Sequence, residues 1–172
     1  VHSGKVAIRA STPLGDVVTL RVLGAGASFG EQALLSDDSL RTASVIALER
    51  VETRVLHRRD FEQLCRDEPS VERLLVLAMA GQVRRLSALL VEAMHVPAEL
   101  RVVRRIGDLA DIYDEGRTPI DIPLRQEDLA TMAGTTRQTA NQVLKQLEVA
   151  GVVMLRRGGV EVHDRDELAR RG

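Results

Sequence analysis

Cysteine is almost absent from this chain: Cys65 is the only one among 172 residues. A single thiol excludes an internal disulfide and a cysteine-ligated iron–sulfur cluster within one chain, so Cys65 reads as a small apolar packing residue. Histidine is scarce too, and His2, His57, His95 and His163 are scattered without metal-ligand spacing, which argues against a zinc site. An excess of one charge is also lacking. The 24 basic and 25 acidic residues leave a net charge of -1, so any nucleic-acid contact must come from a local patch. There is no internal repeat, low-complexity tract or signal peptide, and by inspection no stretch long or apolar enough to span a membrane. With the cysteine usage, this profile suits a reducing cytoplasm. No Ser/His/Asp, Cys/His or paired-carboxylate arrangement is identifiable, and Gly24-Ala-Gly26 does not match a phosphate-binding fingerprint followed by a helix. An enzyme is not expected. The chain begins with Val1 rather than Met, which reads as a fragment or a processed form.

What is present is concentrated near the carboxy terminus. Gln126 to Ala133 and Gly134 to Leu147 read as two short helices joined by a tight turn at Gly134. Leu129, Met132 and Ala133 recur at helical spacing and mark one buried stripe; Ala140, Val143, Leu144 and Leu147 mark another. Thr136 sits where an N-cap belongs. Arg137, Gln138, Asn141 and Gln142 project from the opposite side, with side chains able to reach base edges: arginine pairs with guanine, the amides with adenine. This is the sequence form of a DNA-binding helix-turn-helix.

The following residues strengthen that reading. Gly151 to Val162 holds two short apolar runs around Gly158-Gly159, the signature of a two-residue hairpin turn. A recognition helix followed by a hairpin is a winged helix, with Arg156 and Arg157 on the wing within reach of phosphate. Within residues 123–160, Arg125, Arg137, Lys145, Arg156 and Arg157 outnumber Glu127, Asp128 and Glu148, a modest positive patch.

Upstream, residues 1 to about 60 read as β-rich, with strands at Lys5–Arg9, Val17–Leu23, Ala43–Leu48 and Thr53–His57 and turns at Gly4, Gly15, Gly24–Gly26 and Asp37-Asp38. Asp60 is a candidate cap for the helical region that follows. Pro69 opens a long helix to about Met94, whose Val76, Met79, Val83, Leu86, Leu90 and Ala93 form a seam with spacings of three and four. A helix this apolar is expected to bury against its own β domain and against a partner helix in a symmetric dimer, the alternative being a helix wholly buried within one chain. From Pro97 another amphipathic helix carries Leu100, Val103, Ile106, Leu109, Ala110 and Tyr113. A loop containing Gly116 and Pro119 then leads to the helix-turn-helix, and Asp164 to Arg171 reads as a short terminal helix or a tail.

A second constellation lies in the β-rich part: Phe29-Gly-Glu31, followed further on by Arg41-Thr42. Gly30 and Glu31 begin a one- or two-turn helix whose amides suit an anion, Arg41 can close on it through two hydrogen bonds, and Thr42 adds a hydroxyl. Spacing alone equally allows a loop with an internal Glu31–Arg41 ion pair.

Taken together, Ser3-Gly-Lys-Val-Ala-Ile8, the cassette from Phe29-Gly-Glu31 to Arg41-Thr-Ala43, the long helix and the winged helix resemble the cyclic-AMP receptor protein/fumarate–nitrate regulator (Crp/Fnr) family of bacterial transcription factors. The resemblance implies an α+β chain: a partial cyclic-nucleotide-binding β-roll over 1–66, a dimerisation helix over 67–96, and a winged helix-turn-helix domain over 97–172. The roll reads as incomplete at its amino-terminal end. By this resemblance Gly30, Arg41 and Thr42 would hold a cyclic phosphate and Glu31 the ribose 2′-hydroxyl, with cyclic AMP the leading candidate effector and no tightly bound cofactor. The implied DNA-contact set is Gln126, Thr136, Arg137, Gln138, Thr139, Asn141, Gln142, Lys145, Arg156 and Arg157. The implied partners are a near-palindromic double-stranded operator, a second copy of the chain and RNA polymerase, with no membrane.

Two departures qualify what the resemblance implies. Cyclic-AMP-responsive members place Thr or Ser on the long helix facing the base, where this chain has Leu89 and Leu90. Phosphate and ribose recognition are therefore expected to survive while base selectivity is altered or lost. Members reading the familiar half-site carry Glu and Arg where this chain has Gln138 and Gln142, which shifts the expected operator toward A·T. An effector-independent DNA-binding member, or a sensor of another small ligand, remains the alternative.

Overall fold

Two three-stranded antiparallel sheets and six α-helices alternate along residues 1–35 and 43–172, the residues that the computed structural model describes. In the first sheet β1 (Val6–Ser11) lies between β2 (Val17–Leu23) and β3 (Ser44–Ala47). These match three of the expected strands to within a few residues. The fourth is not formed. Thr53–His57 has no ladder, and only the isolated bridge Ser3↔Glu52 lies beside it. β-branched residues favour a strand only where a neighbour supplies cross-strand contacts, and Val55 and Leu56 stay exposed. The anticipated turn at Asp37-Asp38, like Arg41 and Thr42, falls outside the described residues.

Helix α1 (Arg58–Asp67) has His57 rather than Asp60 at its N-cap position, without a side-chain capping bond, and Asp60 sits in the first turn, where its charge suits the helix dipole. α2 (Ser70–His95) begins after Pro69, as expected. Contrary to expectation, none of its residues is buried, so within one chain it does not bury a face against the first sheet. α2 also overturns the statement that no segment could span a membrane: by length and composition it is long and apolar enough. It does, however, carry Arg84 and Arg85 at its middle, and an arginine at the centre of a bilayer-spanning helix costs roughly 3 kcal/mol on insertion scales.

α3 (Ala98–Tyr113) is the axis of the carboxy-terminal unit. Val102, Val103, Ile106, Leu109, Ala110 and Tyr113 form its buried stripe, while Leu100 lies ahead of that stripe in the first turn and is exposed. The stripe packs against β4 (Ile120–Ile122), α4 (Gln126–Met132), α5 (Arg137–Val149) and α6 (Arg165–Arg171). β5 (Val153–Arg156) and β6 (Gly159–Val162) complete a second sheet in the order β4-β6-β5. The region around Pro119, anticipated as a loop, thus contributes a strand in which Ile120 and Ile122 point inward and Asp121 outward. Burying a large aliphatic side chain such as Ile106, Leu109 or Leu144 contributes about 1.5–3 kcal/mol.

The wing turn is Arg157–Gly158, one residue earlier than Gly158-Gly159 suggested, since Arg156 pairs with Gly159. Gly158, the second central residue, has φ +86° while Arg157 keeps a negative φ, the type II pattern in which glycine supplies the left-handed conformation. Gly159 serves a different need: a Cβ there would lie 2.9 Å from the Ile122 carbonyl oxygen, so a side chain would push β6 off β4.

Candidate nucleic-acid interface

α4 and α5 meet at Gly134, whose φ of +59° makes the turn. The Thr136 hydroxyl accepts from the Thr139 amide at 3.1 Å, fixing the start of α5 as anticipated. Ala140, Val143, Leu144 and Leu147 are all buried against the core, which turns the opposite face outward. Arg137, Gln138, Gln142 and Lys145 are exposed on that face, Asn141 is half-buried, and the Thr139 hydroxyl lies 3.0 Å from that of Thr136 within the cap.

The fold brings the wing to the same side. An open cleft of about 640 Å3 is lined by Arg125, Gln126, Arg137, Arg156 and Arg157. Four guanidiniums against the one carboxylate of Glu127 line this cleft beside the start of two helices, and their excess of positive charge suits phosphate. Arg156 is partly committed elsewhere: it lies 2.6 Å from Glu161, a buried carboxylate that must be neutralised. Arg157 faces no carboxylate in ion-pair range among the described residues. Arg125 was counted in the positive patch but not assigned a contact. Its signal was its place directly before Gln126.

Arg101 was missed altogether. Its guanidinium donates to Ala93 O at 2.9 Å and Val96 O at 3.1 Å at the end of α2, and to Ala133 O at 2.8 Å and Gly134 O at 2.9 Å in the helix-turn-helix turn. One side chain therefore ties the long helix to the turn that orients α5. In the sequence it looked like an ordinary solvated position of an amphipathic helix. Beside it, the Glu92 carboxylate of α2 holds Arg105 of α3 at 2.6 Å, both side chains being nearly buried.

At the other constellation, Gly30 has φ +81° and caps a 3-10 helix over Glu31–Leu34, shorter than a two-turn helix. Glu31 accepts from the Ser28 hydroxyl. Nearby, Arg21 of β2 has its Nε buried without a hydrogen-bond partner among the described residues. Burial holds the Arg21 pKa below the usual guanidinium value, Arg85 of α2 adds to that effect, and Glu31 opposes it. β2, the 3-10 helix and α2 thus bring Arg21, Glu31 and Arg85 within electrostatic range. Nothing in the alternation of β2 singled out Arg21 beforehand. No group of three or more His, Cys, Asp or Glu able to hold a metal occurs among the described residues.

Comparison with known proteins follows the same division. The cyclic nucleotide-binding domain model matches residues 1–68, and the Crp-like helix-turn-helix domain model matches residues 84–171. The cyclic AMP receptor protein of Thermus thermophilus is 36% identical over 164 residues, spanning 95% of this chain and 74% of that protein. The CRP-like cAMP-activated global transcriptional regulator of Mycobacterium tuberculosis is 27% identical, spanning 99% of this chain and 77% of the relative. Among solved structures, FixK2 from Bradyrhizobium japonicum superposes with a TM-score of 0.79 at 18% identity, covering 99% of this chain and 84% of that one. The c-di-GMP responsive regulator CLP of Xanthomonas campestris gives a TM-score of 0.70 at 20% identity, covering 95% and 82%. With the exposed face of α5, the wing and the cassette in their expected order, these likenesses lead to one conclusion: the chain belongs to the Crp/Fnr family of DNA-binding transcription regulators.

Proposed function

We propose that this regulator is a cytoplasmic homodimer whose affinity for a near-palindromic operator is set by a cyclic nucleotide, with cyclic AMP the first candidate. The observation that carries the proposal is the order of its parts. A cyclic nucleotide-binding match over residues 1–68 and a helix-turn-helix match over 84–171 are joined through α2, whose Leu74, Val83, Leu86, Leu90 and Met94 are all more than 60% exposed in one chain. A second copy covers such a stripe through a self-complementary contact. The division into a 1–66 effector domain, a 67–96 dimerisation helix and a 97–172 reading domain follows.

In the effector domain Gly30, Arg41 and Thr42 hold the cyclic phosphate and Glu31 the ribose hydroxyl, while Arg21 and Arg85 add positive charge that favours an anion. In the reading domain Arg137, Gln138, Asn141 and Gln142 face base edges. Gln126, Thr136, Thr139, Lys145, Arg156 and Arg157 face phosphates, with Arg125 added to them because it lines the same cleft. Two such heads in a dimer meet half-sites about 34 Å apart. Exposed surface beyond the reading face is available to RNA polymerase.

A second reading, effector-independent DNA binding, is favoured by Leu89 and Leu90, which offer no hydrogen bond to a base. Calorimetry with cyclic AMP and cyclic GMP separates the two. The proposal expects saturable binding that is lost in Arg41→Met and weakly selective between the bases. No binding of either nucleotide would contradict it.

A further inference from the structure

β1 and β2 fall out of register where they approach α4. Ile8 pairs with Arg21 but Arg9 pairs with Thr19, leaving Leu20 as an extra residue on β2. Such a bulge kinks the strand and re-aims its side chains. Here the re-aimed groups meet the reading domain. The Thr19 amide donates out of the sheet to Thr131 Oγ1 at 3.1 Å, and the Thr19 hydroxyl donates to Asp128 Oδ1 at 2.7 Å. Arg9 joins from the neighbouring strand, its Nε donating to Thr19 Oγ1 at 3.2 Å and its Nη2 to Asp128 Oδ1 at 3.0 Å. Asp128 Oδ2 accepts from the Arg125 amide at 3.3 Å, the cap of α4; the arginine side chain, having no acceptor, gives no cap itself. Thr131 Oγ1 donates in turn to Asp128 O at 3.0 Å, which closes the network.

This node has a dry centre and a wet rim, since Arg9, Asp128 and Thr131 also line an open cleft of about 470 Å3. Thr19 is 2% exposed, and the side chains of Asp128 and Arg9 are 15% and 30% exposed. With Thr19 buried at its centre, losing one partner leaves a polar group there poorly satisfied, so the complete cluster favours one arrangement of the two domains. That arrangement leaves Arg137, Gln138, Gln142 and Lys145 exposed, so the node holds the reading domain without covering its face.

We propose that Arg9 and Thr19, though in the effector domain, are positioning residues for operator binding: the bulged edge of β1 and β2 grips Asp128 and Thr131 and sets the angle at which α5 is presented. Arg101 and the Glu92–Arg105 ion pair fix the same domain to α2, so each reading head is held from the α2 side as well as from the sheet. In a dimer, on which this inference rests, two heads must fit half-sites one DNA turn apart at once. Loosening one support therefore penalises the full operator far more than non-specific DNA, where register does not matter.

The experiment is a fluorescence-anisotropy titration of Thr19→Val, Thr19→Ser and Arg9→Met on three duplexes: an operator obtained by selection, a single half-site, and an unrelated sequence. Thr19→Val and Arg9→Met are expected to weaken operator binding about tenfold, as the loss of a hydrogen bond to a charged group can do, while unrelated DNA changes by less than about twofold. Thr19→Ser, which keeps the hydroxyl, is expected to bind the operator like wild type. Unchanged operator affinity in Thr19→Val, equal loss on all three duplexes, or no rescue by serine would overturn the proposal. If Thr19→Val melts early, Arg9→Met decides alone, because its side chain lies at the rim of the node. Wild-type protein that binds the half-site as tightly as the full operator would remove the dimeric reading, and this inference with it.

Discussion

The two halves of this regulator solve the burial problem differently. The carboxy-terminal unit closes within one chain: α3, α4, α5, α6 and the second sheet enclose Ile106, Leu109, Ile122, Leu129, Leu144 and Leu168, each 1% exposed or less. The amino-terminal half keeps apolar side chains at its surface. Every residue of β3 is exposed, as are Val17 and Leu20 of β2 and the seam of α2. The contrast separates a unit whose core closes among the described residues from one whose apolar surface stays open in this chain. The carboxy-terminal unit is shaped mainly by its own core, while the amino-terminal half and α2 leave apolar surface that, for α2, our proposal assigns to a second copy.

Breaking that contrast takes core substitutions first. Leu144→Ala in the reading unit is expected to cost about 3–4 kcal/mol by urea unfolding, whereas Ile46→Ala on β3, 41% exposed, should cost less than about 1 kcal/mol. Similar losses at the two sites would erase the distinction. Next in size is α2. Replacing Leu86 and Leu90 with glutamate is expected to give a monomer by light scattering and roughly 100-fold weaker operator binding, with the reading unit's melting unchanged. A dimer that survives both changes would relocate the interface. Arg137→Ala should cost about 1–3 kcal/mol on the selected operator and relax preference at one base pair, readable by repeating the selection. The smallest effect is local: Thr136→Ala removes the α5 cap and is expected to lower the stability of the reading unit by about 1 kcal/mol in the same urea assay.

The same contrast governs what was legible beforehand. Cap, turn and apolar spacing are local properties, so Thr136, Gly134, the buried face of α5 and the wing could be read directly from neighbouring residues. Features that depend on distant partners could not. β4 is three residues between prolines and exists because β6 pairs with it. Thr53–His57 has strand composition but no partner strand. Arg101, Arg9 and Asp128 look like solvated charges until the chain places carbonyls or a buried threonine against them. α2 was legible as a long apolar helix, but its seam alone did not reveal that one chain would leave all of it unburied. In the cassette, Gly30 and Glu31 stand at the head of a short helix as anticipated, whereas the burial of Arg21 and the influence of Arg85 on it had no local trace.

The central claim is that ligand in the amino-terminal half controls DNA reading by the carboxy-terminal half. The most direct test is operator affinity measured at fixed salt with and without saturating cyclic AMP or cyclic GMP. The account predicts that at least one nucleotide tightens binding by about fivefold or more, and that operator DNA tightens binding of that nucleotide by the same factor. Operator affinity identical under all three conditions would contradict it.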